Sequence, residues 1–249
     1  MRHQCAVGAS RIVRQVRVSL LGPPGSGKGT QAELLARRFG LPHVDTGALL
    51  RAEVATGGPL GQVLARYIPK GLLAPDELVV QVILRRLRQP DAQAGFILDG
   101  FPRSLPQAER LDAALQAAGR PLTAVILLEV SEQVLWRRLL HRVVCDHCGS
   151  VFNELSKPPR PGEICPRCQT PIELVGGQPK CRHCPEPIRR RADDRPEAIE
   201  QRLRAYQRET IPVVEHYRAL GILREVDGEA PEDVVFRRVL DALSQVPAS

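Results

Sequence analysis

A glycine-rich segment near the start of the chain has the residue types and spacing of a phosphate-binding loop. It reads "GPPGSGKGT" over residues 22–30 and follows a short apolar run. Gly22, Gly27 and Lys28 fit the pattern G-x-x-x-x-G-K, whose glycines let backbone N–H groups turn towards a phosphate. The N-terminus of a following helix adds partial positive charge. The segment therefore predicts a nucleotide site in which Lys28 reaches the outer phosphates.

The position after the lysine narrows the class of nucleotide-binding protein. GTPases and motor ATPases carry Ser or Thr there, and the hydroxyl binds Mg²⁺. This chain has Gly29 at that position and Thr30 one residue later. We therefore expect no direct hydroxyl ligand to the metal at position 29, which disfavours both of those classes.

Six of the seven cysteines form three Cys-x-x-Cys pairs. The basic N-terminal segment has no continuous apolar core, so we expect no signal peptide, and metal binding is then favoured over a disulfide framework. Four thiolates suit tetrahedral Zn²⁺, and a small segment with few apolar residues needs a bound metal to stabilise its fold. The predicted structural zinc ligands are Cys145, Cys148, Cys165 and Cys168.

The third pair, Cys181 and Cys184, leaves the ligand assignment open. "CPRCQTPI" (165–172) and "CRHCPEPI" (181–188) share Cys, Cys, Pro and Ile at a constant offset, which is typical of a local duplication. The third pair could be spare, could hold a second metal with help from His147 or His183, or could replace the second pair as zinc ligands.

The remaining elements predict the framework that positions these residues. Short apolar runs ending in glycine or an acid alternate with stretches of helical periodicity, which indicates an α/β domain with a parallel sheet. The predicted strands cover residues 16–22, 95–100, 124–130 and a final "GILREVDG". A long helix from Arg195 is expected to break or bend near Pro212. The fold class predicted is a parallel β-sheet core flanked by helices, with an inserted small zinc-binding domain.

The composition of this 249-residue chain limits the kinds of partner that it is expected to bind. Its net charge is +7, and only four of its 35 basic residues are lysines. Arginine suits bidentate contacts with phosphate, although a compositional bias accounts for the excess equally well. No apolar run approaches the roughly 18 residues of a membrane span. We expect an anionic ligand and no membrane segment.

Several segments resemble, in chain order, the signatures of the adenylate kinase family. The loop is similar to the "GKGT" loop of nucleoside monophosphate kinases, and "DGFPRSLPQA" is the most specific of the other matches. The cysteine-bearing insert resembles the zinc-type lid of bacterial adenylate kinases. The further matches are "DTGALLR" (45–51), "GLLAPDELV" (71–79) and "RRADD" (190–194).

The resemblance implies Mg²⁺-dependent transfer of a phosphoryl group from ATP to AMP, giving two ADP. Such catalysis is mainly positioning and charge neutralisation. By resemblance, Asp99 orients water on Mg²⁺. The implied ATP-binding residues are Gly25, Ser26, Gly27, Lys28, Gly29, Thr30, Arg138 and Arg142. The implied AMP-binding residues are Thr46, Arg51, Leu73, Ala74, Gly100, Arg103, Gln107, Arg191 and Arg202. The implied catalytic residues are Lys28, Arg103, Arg142, Arg191 and Arg202.

The spacing of two arginines adds a structural expectation. Arg138 and Arg142 lie four residues apart, so we expect them on one face of the helix that enters the insert. By resemblance, this pair covers ATP while Arg191 and Arg202 close over both substrates. Asp193 and Asp194 would orient these arginines.

The resemblance also implies a domain organisation. Residues 1–15 form an N-terminal extension, 16–142 and 191–249 form the core with an AMP-binding segment at about 45–74, and 143–190 form the zinc-binding lid. A cytoplasmic monomer that binds ATP, AMP and ADP is expected.

Two alternatives remain at this point. A monophosphate kinase preferring UMP, CMP or GMP would use the same loop and arginines. A nucleic-acid-binding zinc-ribbon protein would also be basic and rich in Cys pairs. However, such modules interleave aromatic with basic residues, and this insert has only Phe152. We therefore expect no nucleic-acid partner.

Overall fold

The computed structural model describes residues 16–68, 74–191 and 193–245. These residues fall into two compact units. The core unit comprises the described parts of Met1–Val130 and Leu203–Ser249, and the insert unit is Ser131–Arg202. The predicted lid, 143–190, lies inside the insert unit. Within the described part of the chain, no helix has the length and apolar character needed to cross a bilayer.

Strands are found in both units. They are β1 (Arg17–Leu21), β2 (His43–Asp45), β3 (Phe96–Asp99), β4 (Ala124–Glu129), β5 (Arg142–Val144), β6 (Val151–Asn153), β7 (Ile172–Val175), β8 (Gln178–Cys181), β9 (Arg189–Arg190) and β10 (Leu223–Asp227).

Helices account for most of the remaining elements. They are α1 (Lys28–Phe39), α2 (Thr46–Ala55), α3 (Pro59–Leu64), α4 (Asp76–Leu87), α5 (Leu105–Ala117), α6 (Glu132–Leu140), α7 (Pro196–Ala205), α8 (Ile211–Ala219) and α9 (Glu232–Ser244). A 3₁₀ turn covers Pro90–Ala92, and a π-helical segment covers Tyr206–Thr210. No break is seen near Pro212, because the π-helical segment joins α7 directly to α8; the helical regularity changes there instead, just before Pro212.

The core unit contains a five-stranded sheet in the order β10-β4-β1-β3-β2. Every neighbouring pair in it is parallel. Because successive side chains of a strand point to opposite sides, a continuous apolar run contributes apolar residues to both faces of the sheet. Along β3, for example, Phe96 and Leu98 join one buried cluster and Ile97 joins the other. Helices cover both faces, which confirms the predicted fold class.

The two faces are covered by different helices. Buried residues of α4, α5 and α8 pack on one face, and those of α1 and α9 pack on the other. At the sheet's centre, β1 pairs with both β3 and β4. The carboxyl ends of these three strands therefore meet at one edge, where ligands bind in open α/β sheets.

The insert unit contains two small antiparallel sheets. One has the order β6-β5-β9 and the other pairs β7 with β8. Gly176 and Gly177 connect β7 to β8 with φ angles of 59° and 79°. Two successive left-handed residues form the tight turn that suits a two-residue hairpin.

Candidate active site and cysteine cluster

The glycine-rich loop connects β1 to α1 at the carboxyl edge of the core sheet. Gly22, Gly25 and Gly27 have φ angles of 143°, 84° and 97°, conformations that L side chains rarely adopt. A Cβ atom on Gly22 would lie 2.7 Å from the carbonyl oxygen of Leu128. The loop can therefore form only with glycine at this position, and its backbone N–H groups precede a helix N-terminus, which favours an anion.

Lys28 is the first residue of α1, and its ammonium group lies over the loop. Its Nζ atom donates to the carbonyl oxygens of Gly22 and Pro23 at 2.7 and 2.8 Å, and contacts Ser26 Oγ at 3.3 Å. These contacts fix a positive charge beside the loop backbone.

Asp99 ends β3 beside the start of α1. A Cβ atom on Gly29 would lie 3.1 Å from Asp99 Oδ2, so the carboxylate approaches the backbone one residue after Lys28. His43 Nε2 is 3.2 Å from the same oxygen, and Thr46 Oγ1 donates to the Asp99 carbonyl at 3.0 Å. The carboxylate is thus oriented close to the loop, and oxygen is the ligand type that Mg²⁺ prefers.

The segment after β3 forms a second group of polar side chains. Arg103 Nε donates to the Gly100 carbonyl at 2.8 Å, and its backbone N–H donates to Gln107 Oε1 at 2.8 Å. Gln107 is 3% exposed, and its Nε2 donates to Asp76 Oδ1 at 2.7 Å. The Gln107 Oε1 atom can accept one more hydrogen bond and Nε2 can donate one more, so the side chain can bind one further donor and one further acceptor.

The other predicted AMP residues are distributed around α2 and α4. Thr46 begins α2 and is 2% exposed. Arg51 lies one turn later, and its Nη1 would be 3.0 Å from a Cβ on Gly47. Ala74 is buried before α4. Leu73 lies outside the described residues.

Three arginines and two aspartates of the insert unit form one ion-pair network. Arg142 binds Asp194 through two hydrogen bonds, at 2.7 and 2.5 Å. Arg202 Nη1 donates to Asp194 Oδ1 at 2.9 Å and lies 3.3 Å from Asp193 Oδ2. Arg191 binds the Asp193 carboxylate at 2.9 and 3.0 Å. The group carries one net positive charge, and each guanidinium is held in a fixed orientation.

The network shifts the pKa of two of its members. Burial lowers the pKa of Arg142, against the opposing effect of Asp194. Burial alone would raise the pKa of Asp193, but the positive charges of Arg191, Arg202 and Arg142 outweigh it and hold this pKa below its usual value. Asp193 therefore stays ionised to lower pH in the folded protein than in the unfolded chain.

This shift predicts how stability depends on pH. Because the folded pKa of Asp193 is lowered, its stabilising effect is present above the ordinary aspartate pKa of about 3.9 and is lost as the pH falls through the lower folded value. We expect Asp193→Asn to reduce the loss of unfolding free energy between about pH 5 and pH 2, measured by urea unfolding. Glu173→Gln, at an exposed pair with Arg182, is the control. If the unfolding free energy of wild type and of Asp193→Asn fell equally with pH over this range, the assignment to Asp193 would be contradicted.

The expectation that Arg138 and Arg142 share a helical face is wrong. The helix α6 ends at Leu140, and Arg142 begins strand β5. Arg142 pairs with Asn153 across β6 in an antiparallel register. Val143 and Val144 favour a strand, and the bidentate bond to Asp194 fixes the arginine there. Arg138 remains on α6, where its carbonyl accepts from Asn153 Nδ2 at 3.1 Å.

All three Cys-x-x-Cys pairs meet in a small apolar core of the insert unit. Their sulfurs form two groups of four, each with all atoms within 4.8 Å of one another, and neither group includes a histidine. The first group is Cys145, Cys148, Cys181 and Cys184, and the second is Cys148, Cys165, Cys168 and Cys181. The predicted ligand set spans both groups and coincides with neither. The thiolate chemistry fits zinc.

The cysteines differ in how easily they ionise. Burial, together with contacts from Cys145 and Cys148, raises the pKa of the Cys184 thiol to about 12. For Cys168, burial would raise the pKa of the thiol, but hydrogen bonds from Thr170, Cys165 and Cys181 together outweigh it and lower this pKa. Thr170 therefore favours the thiolate form that a metal requires.

Comparison with known proteins decides the family. The family model for adenylate kinase matches residues 20–222. The chain belongs to the adenylate kinase family. It is similar to an adenylate kinase of Nitrosococcus oceani, at 45% identity over 86% of this chain and 92% of that protein. It is also similar to an adenylate kinase of Kosmotoga olearia, at 40% identity over 93% of this chain and 100% of that protein. An adenylate kinase of Archaeoglobus fulgidus is 38% identical over 91% of this chain and 97% of that protein.

As a member of this family, the chain is a nucleoside monophosphate kinase. Two residues at its site were not predicted from sequence. His43 contacts Asp99, and Asp76 holds the Gln107 amide. His43 lies three residues before Thr46 in "HVDTG", and Asp76 lies in "GLLAPDELV". Asp76 thus lies within a segment that carries the family resemblance and His43 lies two residues before one, but local spacing does not reveal which side chain either residue contacts.

Proposed function

We propose that this protein catalyses reversible Mg²⁺-dependent phosphoryl transfer from ATP to AMP, giving two ADP. The observation that carries the proposal is the loop bearing Lys28 beside Asp99, in a chain of the adenylate kinase family. Both substrates are anions, so transfer between them requires charge neutralisation and alignment more than covalent chemistry by the protein.

The ATP side of the site is assigned to the loop. Backbone N–H groups of the loop and the N-terminus of α1 bind the phosphates, and Lys28 neutralises the outer ones. Asp99 would hold water molecules of Mg²⁺, which enters with ATP and screens the phosphate charge. The proposed loop contacts are Gly25, Ser26, Gly27, Lys28, Gly29 and Thr30.

The AMP side is assigned to residues near α2 and the start of α5. Arg103 and Arg51 bind the AMP phosphate, and Gln107 reads the adenine edge with its remaining donor and acceptor. Thr46 and the backbone at residues 73–74 line the base. The geometry that supports this assignment is the fixed orientation of Gln107, held between Arg103 N and Asp76.

Asp76 is then a positioning residue for the AMP base. We expect Asp76→Ala to raise KM for AMP about fivefold, because a lost hydrogen bond of about 1 kcal/mol frees the Gln107 amide to rotate. Initial rates at varied AMP and ATP should give nearly unchanged kcat and KM for ATP, and Asp76→Asn should restore much of the affinity. Glu77→Ala, at the exposed neighbour paired with Arg110, is the control. An equal effect on both substrates would contradict this role.

The arginines of the insert unit are assigned to the transferring phosphates. Arg138 and Arg142 bind ATP, and Arg191 and Arg202 bind the phosphates of both nucleotides. Their proposed action includes closure of the insert over the reactants, a motion for which adenylate kinases are themselves the well-known example. The network through Asp193 and Asp194 supports this proposal, since it orients three guanidinium groups in advance.

The acceptor specificity can be tested directly. A coupled assay of ADP formation with AMP, UMP, CMP and GMP at equal concentrations should give the highest kcat/KM with AMP. A preference for a pyrimidine or for GMP would overturn the assignment of AMP while leaving the kinase reaction intact.

Further properties follow from the same proposal. The insert carries structural zinc on cysteine thiolates, and the protein works as a cytoplasmic monomer. Free cysteines arranged for a metal support a reducing compartment, and light scattering tests the monomer. We propose no specific nucleic-acid partner, and filter binding of labelled RNA at physiological salt tests this.

A further inference from the structure

Cys148 and Cys181 belong to both groups of four sulfurs in the insert unit. A tetrahedral zinc ion takes four thiolates, so each group is a complete ligand set. Six sulfurs can complete two such sets only if the shared pair bridges both ions. We propose that the six cysteines bind two zinc ions in one cluster, with Cys148 and Cys181 as the bridging ligands.

A single ion would leave unused sulfur ligands inside the core. An ion in the first group leaves Cys165 and Cys168, and an ion in the second leaves Cys145 and Cys184. Cys145 and Cys165 are fully buried, and Cys184 is 2% exposed. In either case thiols would remain beside a bound metal, shielded from solvent, whereas two ions use all six.

The separation of two sulfurs in the second group agrees with ligation of a common ion. Cys148 Sγ and Cys165 Sγ are 3.8 Å apart. At a Zn–S distance of about 2.3 Å, two ligands of a tetrahedral ion are separated by about 3.8 Å. A disulfide would bring the sulfurs to about 2.05 Å, and the six cysteines are free. Cys148 and Cys165 are therefore spaced as two ligands of the same ion.

The first two pairs are held by matching turns. Cys145 N–H donates to the Ser150 carbonyl at 3.0 Å, and Gly149 N–H donates to the Cys145 carbonyl at 2.7 Å. In the second turn Cys165 N–H donates to the Thr170 carbonyl at 2.9 Å, and Gln169 N–H donates to the Cys165 carbonyl at 3.0 Å. The two turns thus hold their cysteines with the same backbone hydrogen-bond pattern.

A left-handed residue follows each of these two pairs. Gly149 has φ 74° and Gln169 has φ 57°. Gln169 is the sole non-glycine with positive φ in the part of the chain that the structure describes. A conformation that costs energy is retained here where it shapes a ligand-bearing turn.

The third pair is held by a hairpin instead. Cys181 ends β8 and pairs with Ile172 of β7, which follows the second turn. Cys184 N–H donates to the Cys181 carbonyl at 3.0 Å. The hairpin therefore returns the third pair to the first two, and the duplicated segment 181–188 supplies the two ligands that a second ion needs.

Hydroxyl groups complete the surroundings of the second group. Ser150 Oγ lies 2.9 Å from Cys165 Sγ, and Thr170 Oγ1 lies 3.1 Å from Cys168 Sγ. Six thiolates exceed the charge of two divalent ions by two, and such polar contacts stabilise the excess negative charge.

The test is the zinc content and metal–metal distance of the intact chain. The full-length protein is saturated with Zn²⁺ under a thiol-free reductant, freed of loose metal by gel filtration, and measured by elemental analysis and X-ray absorption. We expect two zinc ions per chain and a zinc–zinc scattering contribution. One ion per chain, or two ions without such a contribution, would overturn the bridged cluster.

Single substitutions then locate the ions. Cys184→Ser and Cys168→Ser each remove a ligand of one ion, so each should reduce the content from two ions to one. Cys5→Ser, at the cysteine outside the three pairs, should leave two. If Cys184→Ser and Cys168→Ser both retained two ions, the ligand assignment would be wrong. The wild-type stoichiometry remains decisive even where a variant fails to fold.

This inference does not depend on the proposed reaction. ADP formation is measured on the same samples, so a protein that binds two ions but prefers another acceptor would refute the substrate assignment alone. A protein that forms ADP while binding one ion would refute the cluster alone.

Discussion

Replacing Lys28 by methionine is expected to reduce ADP formation by a factor of about a thousand. The ammonium group lies over the loop carbonyls of Gly22 and Pro23, where it would neutralise phosphate charge that grows between donor and acceptor. Loss of one such preorganised group costs about a hundredfold to a thousandfold in kcat. Steady-state rates of ADP formation with saturating ATP and AMP, and of the reverse reaction with saturating ADP, measure the effect.

The matching control is Lys157→Met, at a lysine of the insert whose backbone pairs with Asn153. It changes the same side chain without touching the loop, and it should retain near wild-type kcat. Circular dichroism and thermal melting must show that Lys28→Met is folded. A folded Lys28→Met protein with undiminished ADP formation would refute the assigned nucleotide site.

Truncating Asp194 to alanine should have the largest effect on stability. Its side chain is 1% exposed and lies between Arg142 and Arg202. Removing one partner of a buried ion pair leaves an uncompensated charge and costs about 3–5 kcal/mol. We expect early unfolding of the insert unit, measured by hydrogen exchange, and a large fall in kcat because the arginines lose their orientation.

Two comparisons separate charge from packing at this site. Asp194→Asn keeps the shape but removes the charge, so it should fall between wild type and Asp194→Ala. Glu173→Ala, at an exposed pair with Arg182, should cost less than about 1 kcal/mol. Equal stability of Asp194→Ala and Glu173→Ala would show that the network does not hold the arginines.

The core sheet could be predicted from sequence because its strands are short, continuous apolar runs. "GFILDG" and "AVILLEV" became β3 and β4 with shifts of a residue or less at each end. The glycine loop could be placed for a similar reason, since its conformation depends on local residue types. Gly40, which follows α1, likewise adopts the left-handed conformation that glycine favours at a helix end.

Contacts between distant residues could not be predicted in the same way. Arg142 fits helical spacing from Arg138, but pairing with β6 and the bond to Asp194 place it in a strand. Asp76 and Gln107 are 31 residues apart. No local pattern specifies that their side chains meet.

The cysteines illustrate the same limit. Their spacing predicted a metal site, and their number left open which pairs would meet. The choice depends on the hairpin of β7 and β8, which returns Cys181 to the second turn. That hairpin has only four residues in each strand, too few to give a clear periodicity.

The bond between Arg142 and Asp194 joins positions 52 residues apart, on either side of the cysteine-rich segment. The ion pair therefore joins the two ends of this segment directly, in addition to the pairing of β5 with β6 and β9. Because closing a longer loop adds little entropic cost, the length of the chain between these joined ends can vary at small cost in stability.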